Sequence, residues 1–323
     1  MMNSNDVLDT GLRVYRNLGW SFLRLTTAPS VFCLSGIAFV LLYVLPSLGW
    51  THHAGSINGQ LGESATAVAL ALVIGGPLFL FGTSYTCALV VNLTSDYMLG
   101  HEIDATAAQR SAMAITPTLI AVAFRELLLA SSGMLIAIAT MGVGGYLSQF
   151  VAPDSPLAGG VVLIGGLGLF AGIIYFLHIV TVHSLVPAIA VLEKLKGKMA
   201  GRRSLYLLKN LPNLTGGTGA LWNVGAFMLV AGIIEWVGFT ALFQMLNIPD
   251  HLKGFFLSVP FAGVIAQAID LIPTFLVVWT LMPVWASCVT IVYYERRIRL
   301  EGFDIEALAD EIVRNRQTSR FDV

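Results

Sequence analysis

The stretch GGVVLIGGLGLFAGIIYFLHIVTVHSLVPAIAVL, residues 159–192, contains no Asp, Glu, Lys or Arg. A helix of ~20 apolar residues crosses the ~30 Å hydrocarbon core of a bilayer, so this stretch is long enough to span a membrane. Further apolar runs of spanning length follow the same pattern at residues 27–49, 65–93, 119–146, 218–246 and 270–294. The sequence therefore predicts an all-α, polytopic membrane protein with about six transmembrane helices.

The composition supports lipid as the main solvent of the chain. Hydrophobic residues make up 56% of it and charged residues only 11%, against roughly 25% charged residues in an ordinary soluble domain. The net charge of −1 provides no basic field for nucleic acid. With six spans, every Lys and Arg except Lys253 lies on one side. The positive-inside rule then predicts a multi-pass protein of a cytoplasmic (inner) membrane with both termini in the cytoplasm.

Three similar segments precede the odd-numbered spans, at Val7 to Leu25, Ala105 to Ile120 and Met199 to Leu214. They predict amphipathic elbow helices, and hence three repeats of an elbow followed by a helix pair. Each elbow either lies in the membrane surface among lipid phosphates or packs on the other elbows. The chain then divides into an elbow at 1–26, a six-helix transmembrane domain at 27–294, and an amphipathic cytoplasmic tail helix at 295–323.

Three segments carry a resemblance to a known family: DVLDTGLRVYRNLGWSFLRL (6–25), VPAIAVLEKLKGKMAGRRSLYLLKN (186–210) and IVYYERRIRLEGFDIEAL (291–308). They resemble bacterial six-span membrane proteins related to the membrane domain attached to some glycerophosphodiester phosphodiesterases. Because the catalytic part of such phosphodiesterases is a separate soluble barrel, the resemblance implies a membrane fold and no activity. It assigns a structural or lipid-facing motif to Pro187, Glu193, Arg203, Ser204, Tyr294, Arg297, Gly302 and Asp304.

Polar residues inside the apolar runs are the candidates for an intramembrane site. Glu235 interrupts the run GAFMLVAGIIEWVGFTALF, and a charged carboxylate in lipid costs several kcal/mol unless it is paired or protonated. It is either functional or held by a hydrogen bond to a neighbouring helix. His178 and His183 lie in span four, ~140° apart around a helix, so they do not favour a shared metal. A pair between His178 and Glu235 would make a proton or substrate relay.

The remaining signals favour no chemistry. Arg125 and Glu126 read as an anchor at the cytoplasmic end of span three. Catalytic, cofactor-binding and metal-binding motifs are absent from the sequence, so we assign no catalytic residue, cofactor or metal. The leading hypothesis is a non-enzymatic scaffold or accessory subunit that contacts membrane lipids and a protein partner at its cytoplasmic face. The alternatives are a transporter or permease for a small or lipidic solute and, with least support, an intramembrane enzyme acting on lipid.

Overall fold

The computed structural model describes residues 4–39, 71–147, 156–209, 217–256 and 268–302, and within these ranges the regular structure is entirely helical. Helix α2 is preceded by a π-helical turn at Ala71–Gly75. The helices are α1 Ser4–Phe39, α2 Gly76–Met98, α3 Ala105–Leu147, α4 Pro156–Val182, α5 Val186–Leu192, α6 Lys198–Lys209, α7 Gly217–Met245, α8 Ile248–Phe256 and α9 Ile272–Glu301.

Among the described residues, five segments are long and apolar enough to cross a membrane, which is compatible with a multi-pass membrane protein. They are Val73–Met98, Ala105–Thr140, Leu163–Leu192, Leu221–Met245 and Ile272–Glu301. These five segments correspond to predicted spans two to six. Of predicted span one, residues 27–39 form the end of α1, while residues 40–49 lie outside the described ranges. The sixth span and the orientation in the membrane stay predictions.

The predicted elbows differ in how they join the following spans. Helix α1 runs through the boundary between residues 26 and 27 without a break, and α3 runs through Ile120 in the same way. The buried stripe of α1 continues at helical spacing from Val7 and Val14 to Phe22 and on to Cys33, so no change of packing interrupts the helix. The third segment forms the separate helix α6, after which residues 210–216 lie outside the described ranges.

The core is formed by α1, α2 and α9, which pack on one another. The Cβ-free surface of Gly82 lets α2 touch the α1 backbone, since an added Cβ would lie 2.5 Å from the amide nitrogen of Cys33. Buried hydroxyls join α2 to α9: Thr94 Oγ1 lies 3.2 Å from Ser287 Oγ, and Ser95 Oγ lies 2.6 Å from the Tyr294 hydroxyl. Such bonds satisfy polar groups that lipid could not.

Helices α3 and α4 form a hairpin outside this core. An added Cβ on Gly172 would lie 3.0 Å from the carbonyl carbon of Gly133, so small residues set the close approach of the two helices. The outer faces of α4 and α7 expose large apolar side chains, such as Leu167, Phe170 and Ile234, at 64%, 67% and 66% exposure. In a membrane protein these faces contact acyl chains.

The two ends of the bundle differ in polarity. We call the end that contains the start of α1, helices α5 and α6 and the end of α9 the charged end. Toward the other end, α1, α2, α7 and α9 enclose an apolar groove of about 560 Å³. Its lining includes Cys33, Phe79, Met228, Trp236, Leu281 and Trp285.

Candidate functional site

A closed ring of side chains lies at the charged end, where α5 turns into α6 beside the end of α9. Arg203 donates from Nε to Glu193 Oε2 (3.0 Å) and from Nη2 to Glu301 Oε2 (2.7 Å). Arg297 Nε donates to the same Glu301 oxygen (3.2 Å). The Tyr293 hydroxyl donates to Glu193 Oε1 (3.0 Å) and accepts from Arg297 Nη1 (3.3 Å). We call these five residues the ion ring.

The ion ring is electrically neutral, since two arginines balance two glutamates. Its four charged side chains are only 16–22% exposed, so each charge depends on its partners rather than on water. The hydrogen bond to Glu301, reinforced by that to Glu193, raises the pKa of Arg203 above its usual value despite the opposing effect of burial. Arg203 therefore stays charged at any pH at which the protein folds.

The other residues of the sequence motif serve the same junction. Ser204 Oγ is buried and donates to the carbonyl oxygen of Val182 (2.7 Å), which ties α6 to the end of α4. Pro187 lies in the first turn of α5, where its missing amide hydrogen costs nothing. Gly302 ends α9 in a left-handed conformation with φ of 64°. The Tyr294 hydroxyl lies 2.6 Å from Ser95 Oγ of α2, and Asp304 lies outside the described residues.

Four exposed cations lie next to the ion ring, on α6 and in the turn before it. Arg203 turns into the ring, whereas these four neighbours are exposed, together with Met199 and Tyr206. We call this the basic surface; its cations are Lys194, Lys196, Lys198 and Arg202. Within the described ranges none of the four takes part in a salt bridge or a side-chain hydrogen bond.

Glu235 has a hydrogen-bond partner on a neighbouring helix. The Thr280 hydroxyl of α9 lies 2.8 Å from Glu235 Oε2, and the same hydroxyl lies 2.8 Å from the carbonyl oxygen of Leu276. This is the arrangement that the structural interpretation of Glu235 requires. His178 is exposed on α4, and no hydrogen bond or ion pair joins it to Glu235 within the part of the chain that the structure describes. The relay between them has no structural support.

His183 instead contacts Glu126, through its Nδ1 and the Oε2 of the carboxylate. Both side chains are 14% exposed. Arg125 Nη1 lies 3.4 Å from the other oxygen of Glu126, which is a long hydrogen bond. His183 and Glu126 line a cavity of about 200 Å³ between α2, α3 and the start of α5. Glu126 thus contacts His183 in addition to its sequence neighbour Arg125.

Sequence reasoning missed Tyr293 and Glu301 as members of the ion ring. A signal for them exists, because Tyr293, Arg297 and Glu301 are spaced four residues apart and so share one face of α9. Glu126 and His183 are 57 positions apart in the sequence. The periodicity of a single helix therefore cannot predict their contact.

No protein-family model matches the chain, and no curated protein or solved structure matches it either. The resemblance to the membrane domain of glycerophosphodiester phosphodiesterases therefore stays a prediction.

Proposed function

We propose that this protein is a non-enzymatic membrane scaffold or accessory subunit whose charged end binds anionic lipid headgroups and a protein partner. The observation that carries the proposal is the division of cations around α6. The guanidinium of Arg203 is paired with two carboxylates inside the ion ring. The basic surface has four exposed cations without partners among the described residues. Each such cation contributes ~1 kcal/mol of attraction near an anionic membrane surface.

The basic surface is also held in a fixed position, which a docking surface needs. The ion ring links the turn before α6 to the last two turns of α9, and Ser204 links α6 to α4. Met199 is 63% exposed and Tyr206 is 45% exposed between the cations, so the surface offers apolar contacts as well as charge. Proteins and lipid headgroups both bind such mixed surfaces.

The geometry gives less support to the transporter alternative. The groove of about 560 Å³ is lined almost entirely by apolar side chains, and Glu235 is not among them. A pathway for a small polar solute through the membrane would need polar groups along its wall. Glu235 instead meets the hydroxyl of Thr280 at the contact of α7 with α9.

The test is to purify the tagged chain in native lipid discs and identify bound lipids and proteins by mass spectrometry. We expect anionic lipid and one stoichiometric protein to be recovered, and a variant with Lys194, Lys196, Lys198 and Arg202 changed to Gln to lose both. The control is Lys253→Gln with Asp270→Asn, which removes a paired cation (2.8 Å) away from α6. Equal recovery with both variants would contradict the proposal, and solute uptake by proteoliposomes would favour transport.

A further inference from the structure

The cavity of about 200 Å³ between α2, α3 and α5 has a mixed lining that the scaffold role does not explain. Most of its wall is apolar, with Leu119, Val122 and Val186 among the lining residues. Side chains with hydrogen-bonding capacity also line it, namely Thr83, Ser84, Cys87, Glu126 and His183. Its volume corresponds to about six or seven water molecules at ~30 Å³ each, so it can hold a small organic group.

Ser84 is the first polar group in the cavity that a ligand could bind. It is 5% exposed, and its hydroxyl has no hydrogen-bond partner among the residues that the structure describes. The neighbouring Thr83 behaves differently, because its hydroxyl donates to the carbonyl oxygen of Phe79 (2.9 Å). A buried hydroxyl without a partner destabilises the fold unless a ligand or water completes it.

The contact between Glu126 and His183 leaves a second unused capacity in the same cavity. Within the described part of the chain, Glu126 Oε2 and His183 Nδ1 face each other and have no other hydrogen-bond partner. In the same part of the chain, the hydrogen bond found for Glu126 Oε1 is the long contact to Arg125 at 3.4 Å. A carboxylate can accept several hydrogen bonds, so Glu126 has room for one more donor.

We propose that this cavity binds the hydroxyl end of an uncharged, mainly apolar amphiphile of the alcohol class. A hydroxyl can donate to Glu126 and accept from Ser84, while the alkyl part covers the apolar wall. The carboxylate of Glu126 in the cavity wall disfavours an anion. A neutral ligand also reaches a site in the membrane without the cost of carrying charge into lipid. The inference does not depend on the proposed scaffold role.

The test uses the full chain in detergent and two photoreactive probes. One is a medium-chain primary alcohol with a diazirine, and the other is the same molecule with a methyl group in place of the hydroxyl. We expect the alcohol to label peptides that contain residues 83–87, 119–126 or 183–187. Its labelling should exceed that by the methyl probe about 25-fold, because the methyl group loses both hydrogen bonds and each bond of ~1 kcal/mol supplies a factor of about five. Equal labelling by the two probes would overturn the proposal.

Variants sharpen the result. Ser84→Ala and Glu126→Leu should each reduce labelling by the alcohol about fivefold, the effect of one lost hydrogen bond, because neither replacement side chain can donate or accept one. The matched control is Ser132→Ala on α3, because Ser132 is half-buried, does not line the cavity and donates from its hydroxyl to the carbonyl oxygen of Leu129 (2.8 Å). Unchanged labelling of the Ser84 and Glu126 variants would refute the site.

A competition experiment in the unmodified protein decides the matter if those variants misfold. Excess unlabelled alcohol must abolish labelling of the cavity peptides, and the corresponding alkane at equal concentration must not. If both compounds compete equally, the cavity is only an apolar void and the proposal is wrong.

Discussion

The ion ring and the contact of Glu126 with His183 are both built from titratable side chains with little exposure, but they differ in how much bonding capacity they leave. In the ion ring, Arg203 bridges two carboxylates, and Tyr293 both donates and accepts. Glu126 and His183 have mainly each other, beside a cavity and the unpartnered Ser84 hydroxyl. Satisfied networks hold structure together, whereas unused capacity beside a cavity is what a ligand can bind.

The largest effect should come from opening the ion ring. Arg203→Ala leaves Glu193 and Glu301 close together without their shared cation, and we expect it to cost about 3 kcal/mol of stability. Denaturant unfolding in detergent measures the loss. Arg202→Ala is the matched control, because Arg202 is the exposed neighbour and should change stability by less than about 0.5 kcal/mol. Similar losses for both variants would mean that the ion ring does not stabilise the junction.

A double-mutant cycle measures the second region. Glu126→Gln and His183→Phe, alone and together, should give a coupling free energy of about 1–2 kcal/mol, as for two side chains in direct contact. The same cycle on Glu126 and His178 should give a coupling near zero, because His178 is exposed on α4. A second cycle on Arg203 and Glu193 gives the coupling free energy within the ion ring, which we expect to be the larger of the two. A larger value for Glu126 and His183 would contradict this expectation.

Two buried serines give opposite predictions for the same substitution. Ser204→Ala removes the hydrogen bond to Val182 (2.7 Å) and should destabilise the fold by about 1 kcal/mol. Ser84→Ala removes a hydroxyl that has no partner, so in ligand-free protein it should be neutral or stabilise by up to about 1 kcal/mol. Thermal unfolding of the two variants compares them directly. A loss for Ser84→Ala equal to that for Ser204→Ala would show that the Ser84 hydroxyl is already satisfied.

The smallest effect concerns Asp104, which lies directly before α3. Unlike the ion ring and the contact of Glu126 with His183, this carboxylate is fully exposed to solvent. Its carboxylate accepts from the Thr106 hydroxyl (2.7 Å) and from the amides of Thr106 and Ala107 (2.8 and 3.2 Å). These bonds, that of the Thr106 hydroxyl first, lower the pKa of Asp104 below its usual value. The cap is therefore fully present above the ordinary aspartate pKa and is lost as the pH falls through the lowered value.

Hydrogen exchange of the first α3 amides checks this cap. Asp104→Ala should speed exchange at Thr106 and Ala107 at neutral pH, and Asp104→Asn should largely preserve protection, since Asn is also a good cap. Protection that did not change between neutral and acidic pH in the unmodified protein would contradict the assigned role of the carboxylate.

The sequence predicted the five described spans because hydropathy over ~20 residues reports directly on crossing a membrane. It did not show that the first two elbows continue into the following spans. A polar face and an apolar face can follow each other along one helix, and Pro29 and Pro117 lie inside α1 and α3 without ending them. Proline removes one backbone hydrogen bond, and tertiary packing decides whether the helix breaks.

The candidate sites were predictable to unequal degrees. Glu193, Arg203 and Arg297 were singled out from sequence segments, and the structure brings their side chains into one ring. Their partners could not be deduced, because Arg203 and Glu301 are 98 positions apart. The predicted relay between His178 and Glu235 rested only on the similar depth of the two residues in the bilayer. Depth in the bilayer fixes one coordinate of a side chain, and the rotation of each helix about its axis fixes whether two side chains meet.

Helix α3 is long enough that a small change in its tilt moves its ends by many ångströms. Its 43 residues form one helix of about 64 Å, roughly twice the hydrocarbon thickness of a bilayer. A rigid tilt of about 10° moves one end by about 11 Å relative to the other, from the same rise per residue. A change in membrane thickness that tilted α3 by this angle would therefore shift its far end sideways by about the diameter of one helix.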